Sequence, residues 1–167
     1  SKAAKVAIWE TKLGKRIKPR VGIAWSGNSN HKNDHNRSIS LKQLLLYLPD
    51  NCQYVSLQKG LSLADGKVLH DTPQILNFAH DLHDFSDTAA LTELLDCIIS
   101  VDTSVAHLAA AMGKETWILL PNDPDWRWLL DREDSPWYPT VKLYRQPVPG
   151  DWFTVLSKVR EGLLALK

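Results

Sequence analysis

Short, almost wholly apolar runs alternate with amphipathic stretches along most of the chain, and polar turns separate them. Near the start, Val6, Trp9 and Leu13 fall at i, i+3 and i+7 and give one apolar face to a short helix that Gly14 can end. From Arg20 the pattern becomes strand, helix, strand. Val21 to Trp25 predicts a buried strand, and Leu41 to Leu48 a helix with Ser40 as its N-cap and Pro49 beyond its end. Gln53 to Leu57 predicts a second strand and Gln74 to Phe78 a weaker third. Asp87 is expected to cap a helix reaching Leu95. The run Cys97 to Val101 predicts a further buried strand, and Thr103 begins a helix through Met112 that Gly113 closes. Thr116 to Leu120 is another apolar strand, Lys142 to Tyr144 a short one, and a terminal helix starts at about Trp152. Apolar strands alternating with helices predict a parallel sheet, because each crossover helix covers one of its faces. The expected fold class is therefore α/β, an open parallel Rossmann-like sheet with helices on both faces.

Composition changes this picture little. A chain of 167 residues that is 44% hydrophobic and 23% charged is sized for one core of ordinary soluble type, which excludes a collagen-like or wholly disordered chain. No apolar run approaches a membrane span, and no signal-peptide core is present. Cys52 and Cys97 lack metal or redox spacing, so a reducing, cytoplasmic location is expected. The chain begins at Ser1, and the expectation is a piece of a longer protein.

Charge divides the chain more sharply than its +1 total suggests. Up to Arg20 there are seven basic residues against Glu10 alone, +6, whereas the remainder carries −5. Residues 1–19 are accordingly read as an N-terminal basic linker helix and 20–167 as the globular domain. With so even an overall balance, a nucleic-acid partner is not expected.

In an open parallel sheet, ligands bind just beyond the carboxyl ends of the strands. Three segments there carry chemistry. The stretch Ser26 to Ser40 is long, polar and rich in Asn; Gly27 can expose backbone N–H groups to a phosphate, and Arg37 offers a planar fork of donors. His31 and His35 flank Asp34 but have no matching ligand cluster elsewhere, so no metal is expected. The segment Asp102-Thr103-Ser104-Val105-Ala106-His107 joins the most apolar strand to a helix of small residues, and the amides of Ser104, Val105 and Ala106 would form an anion site at its positive end. Thr103 is the expected N-cap and a hydroxyl donor. Asp102 is expected to accept from turn amides or a sugar hydroxyl, and His107 to steady phosphates. After the second strand, Gln58 could bond a base or ribose, and Lys59 could approach phosphate or sugar. A plain strand-end turn explains Gln58 and Lys59 equally well.

The glycine fingerprints of dinucleotide oxidoreductases, P-loop nucleoside triphosphatases and α/β-hydrolases are absent from the sequence. Four stretches instead carry a resemblance: V-G-I-A-W-S-G-N with N-R-S-I (Val21 to Asn28, Asn36 to Ile39), V-S-L-Q-K-G (Val55 to Gly60), I-S-V-D-T-S-V-A-H-L-A (Ile99 to Ala109), and the tryptophan-rich block Pro124 to Pro139. Together these resemble the C-terminal, donor-binding domain of bacterial tetratricopeptide-repeat glycosyltransferases, similar to the heptosyltransferase family (glycosyltransferase family nine, GT-B fold). The resemblance covers nearly the whole chain from about Trp9. It implies a nucleoside diphosphate sugar as substrate, no further cofactor and no metal. It also implies partner acceptor and tetratricopeptide domains beyond this chain. By it, Thr103, Ser104 and Val105 hold the donor diphosphate, and Asp102 and His107 lie beside the sugar or its phosphate. Arg37, with Ser26 and Gly27 near it, matches a basic phosphate-contacting position of the family. The chain departs from the family at Pro121-Asn122-Asp123-Pro124, where a glycine-containing turn is usual. The catalytic base is expected in the missing half, so the isolated chain is expected to be inactive. The alternative is a non-catalytic nucleotide- or sugar-phosphate-binding module or scaffold.

Overall fold

The computed structural model describes residues 1–27, 37–123 and 133–167. Its strands are β1 (Arg20–Ala24), β2 (Gln53–Ser56), β3 (Ile75–Asn77), β4 (Cys97–Val101), β5 (Thr116–Leu120) and β6 (Val141–Arg145). They form one six-stranded sheet in the order β3-β2-β1-β4-β5-β6, with every neighbouring pair parallel. The chain winds outward from β1 in one direction and then returns to extend the sheet from β4 in the other. The crevice between β1 and β4 is therefore the topological switch point, where a ligand is expected in such sheets.

The helices are α1 (Lys2–Leu13), α2 (Leu41–Leu45), α3 (Leu63–His70), α4 (Phe85–Glu93), α5 (Ser104–Ala111) and α6 (Trp152–Leu164). Alternation along the strands sorts them onto two faces. Val21, Ile23, Trp25, Ile99, Trp117 and Leu119 point to one face, where Leu41 and Leu44 of α2, Leu69 of α3 and Val155, Leu156 and Val159 of α6 cover them. Ala24, Val55, Leu57 and Ile98 point to the other, under Trp9 of α1 and Ala90 and Leu91 of α4. There, too, Ile118, Leu120 and Leu143 meet Ala106 and Ala110 of α5. Both faces are buried, which is why the strands read as continuous apolar runs rather than alternating ones.

The structure corrects several local expectations. Helix α3 was not visible in the sequence pattern, because Leu69 is its only buried apolar residue and its exposed Leu63 breaks the periodicity. The helix expected from Leu41 to Leu48 ends at Leu45. Asp87 does not cap α4: Asp84 is the N-cap, and Asp87 at N3 returns the bond to the Asp84 amide in a reciprocal capping box. The basic N-terminal helix α1 lies on α4, with Trp9 edge-on to Phe78 at 5.3 Å between ring centroids. Its lysines are ion-paired: Lys2 to Glu93 at 3.2 Å, Lys5 to Asp87 at 2.7 Å and Lys12 to Asp81 at 2.9 Å.

Candidate functional site

Beyond the carboxyl ends of β1, β2 and β4 lies a cavity of about 560 Å³, within the size range of small-ligand sites. Ser26, Gly27, Arg37, Gln58, Lys59, Thr103, Ser104 and Val105 line it, so the fold brings together eight of the ten residues expected to bind a donor. Asp102 and His107 do not line it.

Among the described residues two helix N-termini meet this cavity, and they differ electrostatically. The first turn of α4, with Phe85 and Thr88 in the wall, already carries its own anions. Asp84 accepts from the Asp87 amide at 2.9 Å, and Asp87 accepts from the amides of His83 and Asp84 at 3.0 and 3.2 Å. The Ser86 hydroxyl, the Asp87 amide and Lys5 together hold the Asp84 carboxyl well below its ordinary range. A bond from Lys5 does the same for Asp87, and Asp87 in turn raises Lys5. Helix α5 has neither a side-chain cap nor an acid in its first turn. Of these two described helix ends, the positive end of α5 is the one not already served by the chain's own acids.

Thr103 has the extended N-cap conformation, φ −139° and ψ 171°, but its hydroxyl is not a cap as expected. It bonds the Ser100 hydroxyl at 3.0 Å, which anchors the turn to β4. Opposite, Arg37 spans the crevice and donates from Nη1 to the Asp102 carbonyl at 2.5 Å. Gly27 makes this possible: a Cβ there would lie 2.6 Å from Arg37 Cζ and 2.9 Å from its Nε. The Asp102 carboxylate, expected to accept from turn amides or a sugar hydroxyl, stands 3.1 Å from His107 Nε2, and the His107 ring meets Tyr138 edge-on. These two residues form a half-buried acid–imidazole pair beside the α5 end.

Gln58, read as a base or ribose contact, spends its carboxamide on the chain itself. Its Oε1 accepts from the amides of Trp25 and Ser26, both at 3.1 Å, and its Nε2 donates to the carbonyls of Ser26 and Gly60, both at 3.0 Å. Lys59 is exposed, with Nζ donating to the His83 carbonyl at 3.1 Å. Sequence reasoning missed the α4 wall, His83 to Thr88; the only signal was the D-F-S-D spacing of a capping box.

Among the described residues no three His, Cys, Asp or Glu side chains converge to hold a metal ion, and no helix is long and apolar enough to cross a membrane. His31, Asp34 and His35, and most of the tryptophan-rich block, lie outside the described residues. A second cavity of about 470 Å³ opens at the amino ends of β2 and β3 beside Cys52 and Tyr54. Burial pushes the Cys52 thiol up, away from the nucleophilic thiolate. A third, about 680 Å³, lies between β6 and α6. Among the described residues neither offers a helix N-terminus.

No protein-family model matches the chain. Protein FlbA of Caulobacter vibrioides is 26% identical over 170 residues, a match spanning 96% of this chain and 28% of FlbA. Among solved structures, the ADP-heptose LPS heptosyltransferase II of E. coli superposes with a TM-score of 0.63 at 17% identity, over 96% of this chain and 51% of that one. The chain thus spans about a quarter of the one and half of the other. The superposition shows the fold: the all-parallel sheet and its flanking helices match the GT-B-like fold of a heptosyltransferase.

Proposed function

We propose that this chain is the nucleotide-sugar donor-binding domain of a metal-independent GT-B glycosyltransferase. The observation that carries the reading is the uncapped N-terminus of α5 with Arg37 bonded to the carbonyl just before it, both lining a cavity of about 560 Å³ at the switch point of the sheet. A diphosphate placed there would receive the amides of Ser104 and Val105 on one side and the Arg37 guanidinium on the other. Lys59 on the β2 rim adds a second cation. Helix dipole and cationic side chains would offset the diphosphate charge without a divalent ion, which is the chemical basis for metal independence. The Asp102–His107 pair flanks the first turn of α5 outside the cavity lining, and on this reading it would orient a donor sugar that extends past the α5 end.

The chain matches about half of the heptosyltransferase II length, and transfer requires acceptor and donor to be held in attack geometry. On this reading the isolated chain binds donor and transfers no sugar, the acceptor side being supplied by a further domain. The test is thermal unfolding in the presence of ADP, UDP, GDP, CDP and dTDP. A ligand at about 100 times its Kd stabilises by ~2.7 kcal/mol. A shift with one or more of them supports the reading; no shift with any at millimolar concentration overturns it. Multiple-turnover transfer by the chain alone would overturn the half-enzyme part.

A further inference from the structure

Beyond Leu57, whose amide makes a last ladder bond to the Ile23 carbonyl at 2.9 Å, the β1–β2 ladder ends at the mouth of the cavity. Main-chain groups there need partners from elsewhere. The Gln58 carboxamide replaces them: buried, it mimics a peptide group and satisfies two consecutive amides of β1's end and the Ser26 and Gly60 carbonyls. Trp25 is held a second time. Its indole N–H donates to the buried Asp65 carboxylate at 3.0 Å, and the other oxygen of Asp65 accepts the Leu41 amide at 3.0 Å. Two further bonds join the same segments, from the Ile39 amide to the Trp25 carbonyl at 2.8 Å and from the Gly27 amide to the Ser38 hydroxyl at 3.1 Å. Arg37 stands between these anchored segments, with Gly27 beneath its guanidinium.

Resting on the donor-site reading above, we infer that Gln58 and Asp65 are positioning residues of the anion site: they fix Trp25 to Gly27 against Ser38 to Leu41 and so place the Arg37 guanidinium opposite α5. Gln58 lines the cavity but spends its carboxamide on the main chain, and Asp65 lies outside the lining. Both act through Arg37. Gln58 supplies a carboxamide that can accept and donate along a peptide-like edge. Asp65 supplies two acceptors to two N–H donors, the indole and the Leu41 amide, in a place where burial makes an unmatched donor costly.

Gln58→Glu tests this with unchanged size, because it sets an oxygen against the Ser26 and Gly60 carbonyls that Nε2 now serves. Asp65→Asn sets an NH2 against a donor. The probe is inorganic pyrophosphate, titrated calorimetrically into the full chain, with the Arg37 Nε–H resonance followed in the ligand-free protein. Each variant is expected to weaken pyrophosphate binding by ~10-fold or more, to shift the Arg37 resonance, and to lose its effect in an Arg37→Ala background, as residues acting through one group do. Should Gln58→Glu fail to fold, Asp65→Asn and the milder Trp25→Phe carry the same comparison. An effect that persists in full without Arg37, or an Arg37 resonance that does not move, overturns the positioning role while leaving the donor site standing. A wild-type chain that binds neither pyrophosphate nor any nucleotide overturns the donor site, and the Arg37 resonance of the ligand-free variants then decides the positioning role by itself.

Discussion

Gly27→Ala is the smallest change that separates the candidate site from the fold. Gly27 does not have a positive φ, so alanine suits its backbone and restricts the unfolded chain slightly. The new Cβ, however, would stand 2.6 Å from Arg37 Cζ and 2.9 Å from Nε. Carbon contacts are comfortable at roughly 3.5–4 Å, so the guanidinium must withdraw by about an ångström. Being the end of a flexible side chain it can do so, and the sheet need not move. What is lost is the 2.5 Å bond to the Asp102 carbonyl and the placement opposite α5. A hydrogen bond from a charged group contributes roughly 1.5–3 kcal/mol, so binding of pyrophosphate or a nucleoside diphosphate should weaken by roughly ten- to a hundredfold. Calorimetry measures that loss, and thermal unfolding should show Tm lowered by no more than the few degrees that one part-buried bond accounts for. Arg37→Ala should cost about as much, and the double variant little more than either single one. Wild-type affinity in Gly27→Ala, or strictly additive losses in the double variant, would refute this account of how glycine and arginine cooperate.

Diphosphate binding should survive EDTA; affinity that vanishes on chelation and returns with magnesium or manganese would mean a cation is part of the site. The α1–α4 junction should be acid-sensitive. Because folded Asp84 and Asp87 lie below their ordinary value of 3.8, the stabilisation they bring is complete above it and is lost as pH falls through their lowered values. Circular dichroism from pH 5 to 2 should show a shallower loss of stability in Lys5→Met than in the wild type, and parallel curves would dismiss the junction as a source of it. In the sheet, Gly22→Ala would put a Cβ 2.7 Å from both Leu57 Cδ1 and Leu95 Cδ1. That overpacking should cost about 1–3 kcal/mol, or roughly 2–4 °C of Tm per kcal/mol at this size, and an unchanged Tm would show that the two leucines can step aside.

The fold was legible because its strands are buried on both faces. Val21 to Trp25, Cys97 to Val101 and Thr116 to Leu120 need no partner's position to be recognised as apolar runs, and the helices between them force parallel pairing. Strand order was not legible, since nothing local states that β4 returns to the far side of β1; side-by-side packing of whole elements decides that. The α5 turn could be read directly, because a helix N-terminus after an apolar strand is a local device. Its open state depends on Ser100, which draws the Thr103 hydroxyl away from capping. Arg37 and Gly27 are ten residues apart in sequence, and only the anchoring at Trp25, Ser38 and Leu41 stacks one on the other. Gln58 and Asp65 mark the limit most sharply. A glutamine at a strand end and an aspartate in a helix's first turn look like surface residues in sequence. Gln58 became a buried anchor where the β1–β2 ladder ends and leaves main-chain groups to satisfy, and Asp65 where the Trp25 indole and the Leu41 amide converge on it.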